Sequence, residues 1–357
     1  MIVVNTFLRT ILQNYSILSR LQTKNGYLYK KFAVAQAASP MEYCFIINNG
    51  PGKTSNAPKI IDAISALDTP IGHRIFKTTG IRTATDFVAN ECRRNPDKEI
   101  CFVACGGDGT INEVATGMMI GGTANKHLAV LAYGSGNDFI KYYPEHDFKS
   151  IRDLVNGTPH LIDIMKVNEK EYSINVCNFG FDADVCARAN RLTVKHRRNV
   201  YRWGLIHAIL FARFNRIDTF VDGEQIHKGR RMLLCTLGNN SHIGAEYCCS
   251  PRAKNDDGLI EVGFVKSTSL IGLLSLMGAY RKGTHLDNPR TRKHFIYRQA
   301  KTVCIHSHKP TELCLDGEML AGRDFRVEIL PRAISFIIPA HNQAGGRLSE
   351  AVRFRLS

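Results

Sequence analysis

The sequence predicts an α/β domain joined to an all-β domain, a parallel-sheet N-terminal half followed by an antiparallel β-sandwich. Three observations predict it. Between Glu42 and Tyr143 an apolar run, a loop of Gly and small polar residues and a helical pattern recur three times in that order. That alternation implies parallel strands with right-handed crossovers. After Pro159 the runs become short and β-like, separated by turn signals such as Asp222-Gly223 and Asp257-Gly258, which favours antiparallel pairing. At 357 residues and 44% hydrophobic, the chain holds two ordinary domains of roughly 100–200 residues each.

Residues 1–40 form a basic N-terminal extension without Asp or Glu. Phe7, Leu8, Ile11, Leu12, Tyr15 and Leu18 recur near helical spacing among Arg9, Arg20 and Lys24, so the segment suits either a basic amphipathic helix at a membrane surface or a tail outside the domains. A compact apolar core before a small-residue cleavage site, as in a secretory signal, is absent there.

Residues 41–158 make the α/β domain. Tyr43 to Asn49 leads into Gly-Pro-Gly-Lys and a helix with Ile60, Ile61, Ile64 and Leu67 on one face. Glu99 to Cys105 leads into Gly106-Gly107-Asp108-Gly109-Thr110 and a helix with Val114, Ala115 and Met118 inward. His127 to Tyr133 leads into Gly134-Ser135-Gly136-Asn137-Asp138 and a shorter helix. The three loops should leave one sheet at its carboxyl edge, where open α/β sheets bind ligands.

Residues 159–330 make the β-sandwich. Its predicted strands are Ile162–Val167, Tyr172–Asn178, Arg216–Val221, Met232–Leu237, Leu259–Val265, Thr302–His306, Glu312–Leu315 and Phe325–Ile329. Ala187–Phe214 and Leu270–Lys282 read as helical interruptions. Residues 331–343 carry one more apolar run, a strand free in sequence terms either to stay with the sandwich or to return to the first domain, and 344–357 are a tail.

The glycine loops carry the chemistry. In Gly106 to Asn112 the glycines let backbone N–H groups approach an anion, and the next helix adds the positive end of its dipole. Thr110 and Glu113 fit a capping box at that helix start. An Asp inside an anion loop needs an offset for its charge, such as a metal ion or nucleotide hydroxyls. Asp108 therefore points to a nucleotide site.

Charge agrees with this. Lys+Arg total 47 against 32 Asp+Glu, a net charge of +15, which attracts phosphate-rich partners. The eleven cysteines include no C-x-x-C pair, so they read as reduced thiols and not as a zinc site or disulfide frame. No apolar run reaches the roughly 18–20 residues of a membrane span. Membrane contact is then peripheral, and the expected location is cytoplasmic.

The motif Gly106 to Val114 resembles the nucleotide loop of the diacylglycerol kinase catalytic-domain superfamily. That superfamily includes bacterial diacylglycerol kinases, sphingosine and ceramide kinases and, more distantly, NAD kinases and phosphofructokinases. Gly134 to Asp138 is similar to its G-T-x-N-D loop, with Ser135 supplying the hydroxyl. Asn48 to Lys53 resembles N-P-x-S-G-x, with Asn49 in place of Pro and Pro51 in place of Ser. Ser250 to Leu259 resembles P-x-A-x-x-D-D-G-L, and Asp316-Gly317-Glu318 resembles the D-G-E motif. The order of these motifs identifies the chain as a member of the bacterial diacylglycerol/lipid kinase type.

The resemblance implies an ATP- and Mg²⁺-dependent lipid kinase, with diacylglycerol converted to phosphatidic acid. It implies a nucleotide held by Asn48, Thr78, Gly106, Gly107, Asp108, Gly109, Thr110, Ile111, Asn112 and Ser135. It implies a structural Mg²⁺ on the backbone carbonyls of Lys254 and Leu259 and the carboxylate of Asp257, Glu318 as general base, and Asp182 and Asp184 positioning the acceptor lipid. By themselves Asp256-Asp257-Gly258 and Asp316-Gly317-Glu318 also suit hairpin turns. A soluble-substrate kinase of the NAD kinase sort, or a non-catalytic lipid or nucleotide regulator, are the alternative readings.

Two stretches mix basic and aromatic residues: Arg188 to Arg216, with Tyr201, Trp203 and Phe211, and Arg281 to Lys301, with Arg290, Arg292, Lys293 and Arg298. They suit the anionic phospholipid of a membrane surface that holds the lipid substrate, or a solvated face. No nucleic-acid module is recognisable, so no nucleic-acid partner is expected; a homodimer is compatible with the sequence.

Overall fold

In the computed structural model, which describes residues 41–48, 56–180, 216–266 and 270–341, the apolar run after Met41 forms strand β1 (Glu42–Asn48). Its partner β2 (His73–Thr78) follows helix α1 (Ala57–Ser65). Helix α2 (Thr83–Arg94), strand β3 (Ile100–Gly106), helix α3 (Asp108–Gly121) and strand β4 (Lys126–Ala132) continue the alternation. β1 pairs parallel with β2 and β3, and β3 pairs parallel with β4. The register sets Asn48 opposite Thr78 and Gly106 opposite Ala132. The strand ends that lead into the glycine loops thus share one carboxyl edge.

Both faces of this sheet are covered, which is why β3 is apolar without alternation. Phe102, Val114, Met118, Leu128, Phe139 and Phe336 belong to one core cluster. Two local expectations change. Ile61 is 45% exposed while Ile60 and Ile64 are buried, because residues four apart share a helix face and the neighbour one position on turns away. Helix α3 begins at Asp108 with Gly107 as its N-cap and no side-chain cap. Glu113 is therefore too far into the helix for a capping box, and its Oε2 instead accepts from the Ala84 backbone N–H of α2 at 3.2 Å.

A 3₁₀ turn (Phe139–Tyr142) and helix α4 (Ile151–Val155) lead to β5 (Thr158–Val167), β6 (Glu171–Ser173) and β7 (Val176–Gly180). The expected single run Tyr172–Asn178 is broken between β6 and β7, where the backbone N–H groups of Ile174 and Asn175 donate to Asp316 and leave the ladder. β8 (Arg216–Val221) and β9 (Glu224–Gly238) form a hairpin through Asp222-Gly223, both at positive φ. The short pair β10 (His242–Ile243) and β11 (Tyr247–Cys248) precedes β12 (Ile260–Lys266), helix α5 (Leu270–Arg281), helix α6 (Pro289–Arg292) and β13 (Phe295–Ala300).

β14 (Thr302–Leu315) joins two predicted strands into one, with a register shift between His306 and Thr311. β15 (Glu318–Ile338) is longer still. Its first part pairs antiparallel with β14, and near its end Ser335 and Phe336 pair parallel with β4. The bend between them carries a register shift at Leu330/Ile334 and a positive φ at Arg332. There the buried Asp163 carboxylate accepts from the backbone N–H of Arg332 at 2.7 Å and of Gly258 at 2.6 Å.

The expected clean division into a parallel sheet and a separate sandwich gives way to one hydrogen-bonded path, β2-β1-β3-β4-β15-β14-β7-β9-β12-β13. The β-rich part still has its own core, with Phe179, Leu237, Phe264, Val303 and Phe325. The physical reason for the continuity is β15, whose length lets one strand lie in both parts. The described cysteines are free thiols. Residues 1–40, the helical reading of Ala187–Phe214 and the tail 344–357 lie outside the described residues.

Candidate active site at the glycine loops and Glu318

The loops after β3 and β4 lie back to back. A Cβ on Gly134 would run into the Gly107 backbone, so only glycine permits this approach. Asn137, at φ +52°, closes its own turn by accepting from Gly134 N at 3.0 Å and donating to Gly134 O at 3.1 Å. Asp108 accepts from the Phe139 backbone N–H at 2.9 Å, which ties the first loop to the second. Burial, then the neighbouring Asp138 carboxylate, pushes the Asp108 carboxyl above its ordinary range. A group so placed gains from a cation or hydroxyl donor nearby.

Asp138 is itself buried and holds the loop to the β10–β11 pair. It accepts from the Ala245 backbone N–H at 3.0 Å and from Lys141, whose Nζ also donates to Ala245 O at 2.6 Å. Asn240 donates to Phe139 O at 2.9 Å. Asp138 and Lys141 were not singled out from sequence, although the Asn137-Asp138 pair within the loop motif was the available signal.

Asn48, at the end of β1, donates to the buried Thr110 hydroxyl at 3.1 Å. Thr78 Oγ1 reaches Ile47 O at 3.4 Å, so both residues line the same edge. Ser135, in the loop after β4, and Gly109, in the first turn of α3, are exposed. Ile111 differs, since its side chain is in the core and its N–H donates to Gly107 O at 3.2 Å. The Asn49–Lys53 loop, Asp182, Asp184 and the basic stretch up to Asn215 lie outside the described residues.

One turn further along α3, Asn112 lines a small cleft with Glu113, Arg82, Glu171 and Glu318. Its Nδ2 donates to Tyr172 O at 3.2 Å, while its buried Oδ1 has no hydrogen-bond partner. A buried polar atom left open in a cleft is suited to a ligand. Glu318 is the first residue of β15, set by the two-residue turn Asp316-Gly317, both at positive φ. It is exposed as a residue, yet its carboxyl is raised above the ordinary range. Partial burial is the main cause and Glu113 adds to it, while Arg82 opposes. Arg82 lies 3.5 Å from Glu171 in an ion pair.

Lys254, Asp257 and Leu259 do not line that cleft. Asp257 Oδ1 accepts from Leu259 N at 3.0 Å, and the turn packs on Asp163 and on Tyr143, whose hydroxyl accepts from Asn255 at 2.8 Å. Desolvation, then the nearby Asp163 and Asp256, raises Asp257. That crowding of negative charge fits a hard cation that takes oxygen ligands. No group of three or more His, Cys, Asp or Glu side chains is gathered for a metal among the described residues, so carbonyls would complete the set.

Two family models match the chain. Residues 42–167 match the diacylglycerol kinase catalytic domain, and residues 175–338 match the YegS C-terminal NAD kinase beta sandwich-like domain. Curated relatives agree. A protein named "Probable lipid kinase YegS-like" from Enterobacter sp. (strain 638) is 27% identical over 293 residues, 81% of this chain and 94% of the relative. Its namesake from Klebsiella pneumoniae (strain 342) is 28% identical over 297 residues, with the same coverage of 81% and 94%. A diacylglycerol kinase crystal structure from Bacillus anthracis str. Sterne superposes with a TM-score of 0.61 at 18% identity, covering 85% of this chain and 97% of that one, a likeness of fold. With both halves matched in order and the glycine loops gathered at one sheet edge, this chain belongs to the diacylglycerol kinase catalytic-domain superfamily, among its YegS-like lipid kinases.

Proposed function

We propose that this chain is an ATP- and Mg²⁺-dependent lipid kinase that phosphorylates a lipid hydroxyl, converting diacylglycerol to phosphatidic acid. The observation that carries this reading is the shared cleft of Glu318 and Asn112, because Asn112 lies on the helix that grows out of the Gly106–Gly109 loop. A nucleotide on that loop and an acceptor hydroxyl at Glu318 would then face each other.

In this mechanism the backbone of Gly106 to Gly109, with Asn48, Thr78 and Ser135, holds the phosphates and orients the donor. Ile111 and Thr110 fix the helix start from within the fold. Asp108 is the carboxylate that would hold a magnesium ion, which when bound would offset the charge of the transferring phosphoryl group. Glu318 takes the proton of the attacking hydroxyl as its oxygen approaches the γ-phosphorus in line. Its raised carboxyl is a stronger base than an ordinary glutamate. The carbonyls of Lys254 and Leu259 and the Asp257 carboxylate would hold a structural cation, which would offset the negative charge of Asp257, Asp256 and Asp163 at that turn. Asp182 and Asp184 remain the proposed contacts to the acceptor.

No described helix is long and apolar enough to cross a membrane, which suits a lipid substrate reached from the membrane surface. The test is incubation of the protein with labelled ATP, Mg²⁺ and a mixed lipid extract, followed by identification of the labelled product. Label in phosphatidic acid is the expected result. Label in a different lipid would replace the acceptor, and label only in soluble products would overturn the lipid reading.

A further inference from the structure

A cleft of about 450 Å³ opens between the start of β9 and β13, and it shares no residue with the cleft at Glu318. Arg252, Arg292 and Arg298 converge on it, and Glu224 is the carboxylate in its lining. Its volume is that of a small-molecule site, which commonly spans about 300–1,000 Å³.

The arginines are not consumed by one another's partners. Arg252 sits over the Tyr297 ring at 5.5 Å and pairs with Asp287 at 2.7 Å. Among the described residues Arg298 donates only to the Tyr297 carbonyl, at 3.0 Å. Arg292 has no carboxylate within ion-pair distance among the described residues. Tyr297, meanwhile, is fixed by its hydroxyl on Glu261, and Gln299 donates to the same carboxylate at 2.8 Å. The cleft therefore has a stiff aromatic floor and an excess of guanidinium groups, which are fork-shaped donors matched to phosphate oxygens.

We propose that this cleft binds a phosphate-bearing anion, either the headgroup of an anionic phospholipid or a soluble phosphate ester. Neighbouring Arg290 and Lys293 are exposed beside it but outside its lining. They add to the local field without shaping the site. Arg292 and Arg298 supply the bidentate contacts, Arg252 closes over the ligand from the Tyr297 side, and Glu224 excludes a second negative group from that end. Binding should weaken as ionic strength rises.

The test uses the full chain with the nucleotide loop saturated by a non-hydrolysable ATP analogue, and is repeated without it, so that the result is independent of phosphoryl transfer. The probes are glycerol 3-phosphate, followed by calorimetry, and vesicles of phosphatidylcholine with or without phosphatidylglycerol, followed by co-sedimentation. Wild type should bind at least one probe. The double variant Arg292→Ala/Arg298→Ala should bind it about tenfold or more weakly, while the charge-matched Arg290→Ala/Lys293→Ala retains it. Loss confined to glycerol 3-phosphate assigns a soluble ester, and loss confined to phosphatidylglycerol vesicles assigns a lipid headgroup. Equal loss in the two double variants, or no binding of either probe by wild type, overturns the site. Unchanged thermal unfolding of both variants separates a binding defect from a folding one.

Discussion

The Asp316 carboxylate accepts a hydrogen bond from the Val176 backbone N–H at 2.8 Å, two residues ahead of Glu318 in sequence. It also accepts from Ser173 Oγ at 2.9 Å and from Ile174 N at 2.8 Å. The turn tip is partly exposed, but this carboxylate faces inward under residues 173–176, and burial pushes it up to about 6 against the pull of those donors. Asp316 thereby anchors the turn from which Glu318 projects.

Asp316→Asn presents an amide N–H to an array of donors, so one former contact becomes a clash. The expected loss is roughly 2–3 kcal/mol of unfolding free energy, measured by urea denaturation. The pH dependence has a definite sign. With the folded value raised to about 6 from 3.8, the folded state holds the extra proton, so this contribution is complete below about 3.8 and disappears as pH rises through 6. The wild-type denaturation midpoint should fall across that window and that of Asp316→Asn should not. Identical slopes would remove Asp316 as the source.

Glu318→Gln tests the base. Phosphoryl transfer to lipid should fall by about 10²–10⁴-fold, with ATP affinity unchanged. Because burial and Glu113 raise the Glu318 carboxyl, the acid limb of the wild-type rate profile should lie above the ordinary glutamate range. Activity then rises with pH as the base loses its proton. Near-normal turnover of the Gln variant would strike Glu318 from the mechanism.

Gly134→Ala tests the loop contact. The new methyl group would meet the Gly107 backbone, which cannot swing aside as a side chain can. We expect about 1–3 kcal/mol of destabilisation from overpacking, with loss of ATP binding measured by calorimetry. Gly109→Ala is the contrast, since nothing lies within 4 Å of its added Cβ. Its stability should stay near wild type.

Asp108→Ala should weaken ATP binding, whereas Asp108→Asn, which keeps an acceptor for the Phe139 N–H, should preserve the loop and lose only the charge. Equal ATP affinity in wild type and Asp108→Ala would count against the loop assignment.

The turn at Asp257 makes a separate claim. A bound cation stabilises the fold by mass action, about 2.7 kcal/mol when free Mg²⁺ is a hundred times its Kd. Mg²⁺ should therefore raise the wild-type melting temperature, and Asp257→Asn should lose that response. An equal rise in both proteins would place the ion elsewhere.

Much of the fold was legible because its signals are local. Strand–loop–helix order, the apolar β3 and the glycine runs are fixed by neighbouring residues, and so is the Asp316-Gly317 hairpin tip. The glycine loops stand out by composition, whereas Glu318 emerges as a candidate only through the resemblance of its motif, taken in order with the others, to the lipid-kinase family. The sharing of β15 between the two parts could not, since it depends on a bend at Arg332 held by Asp163, 169 positions earlier. Nor could the task of Glu113, whose apparent capping box dissolved once α3 began at Asp108 and the side chain met α2 instead. Motif order pointed to the family and named the candidate groups, because motifs are properties of short segments. Only the tertiary structure decided which carboxylates share a cleft, which are held inward by backbone donors and which way their protons are biased, because burial and electrostatic proximity arise between residues that the chain separates.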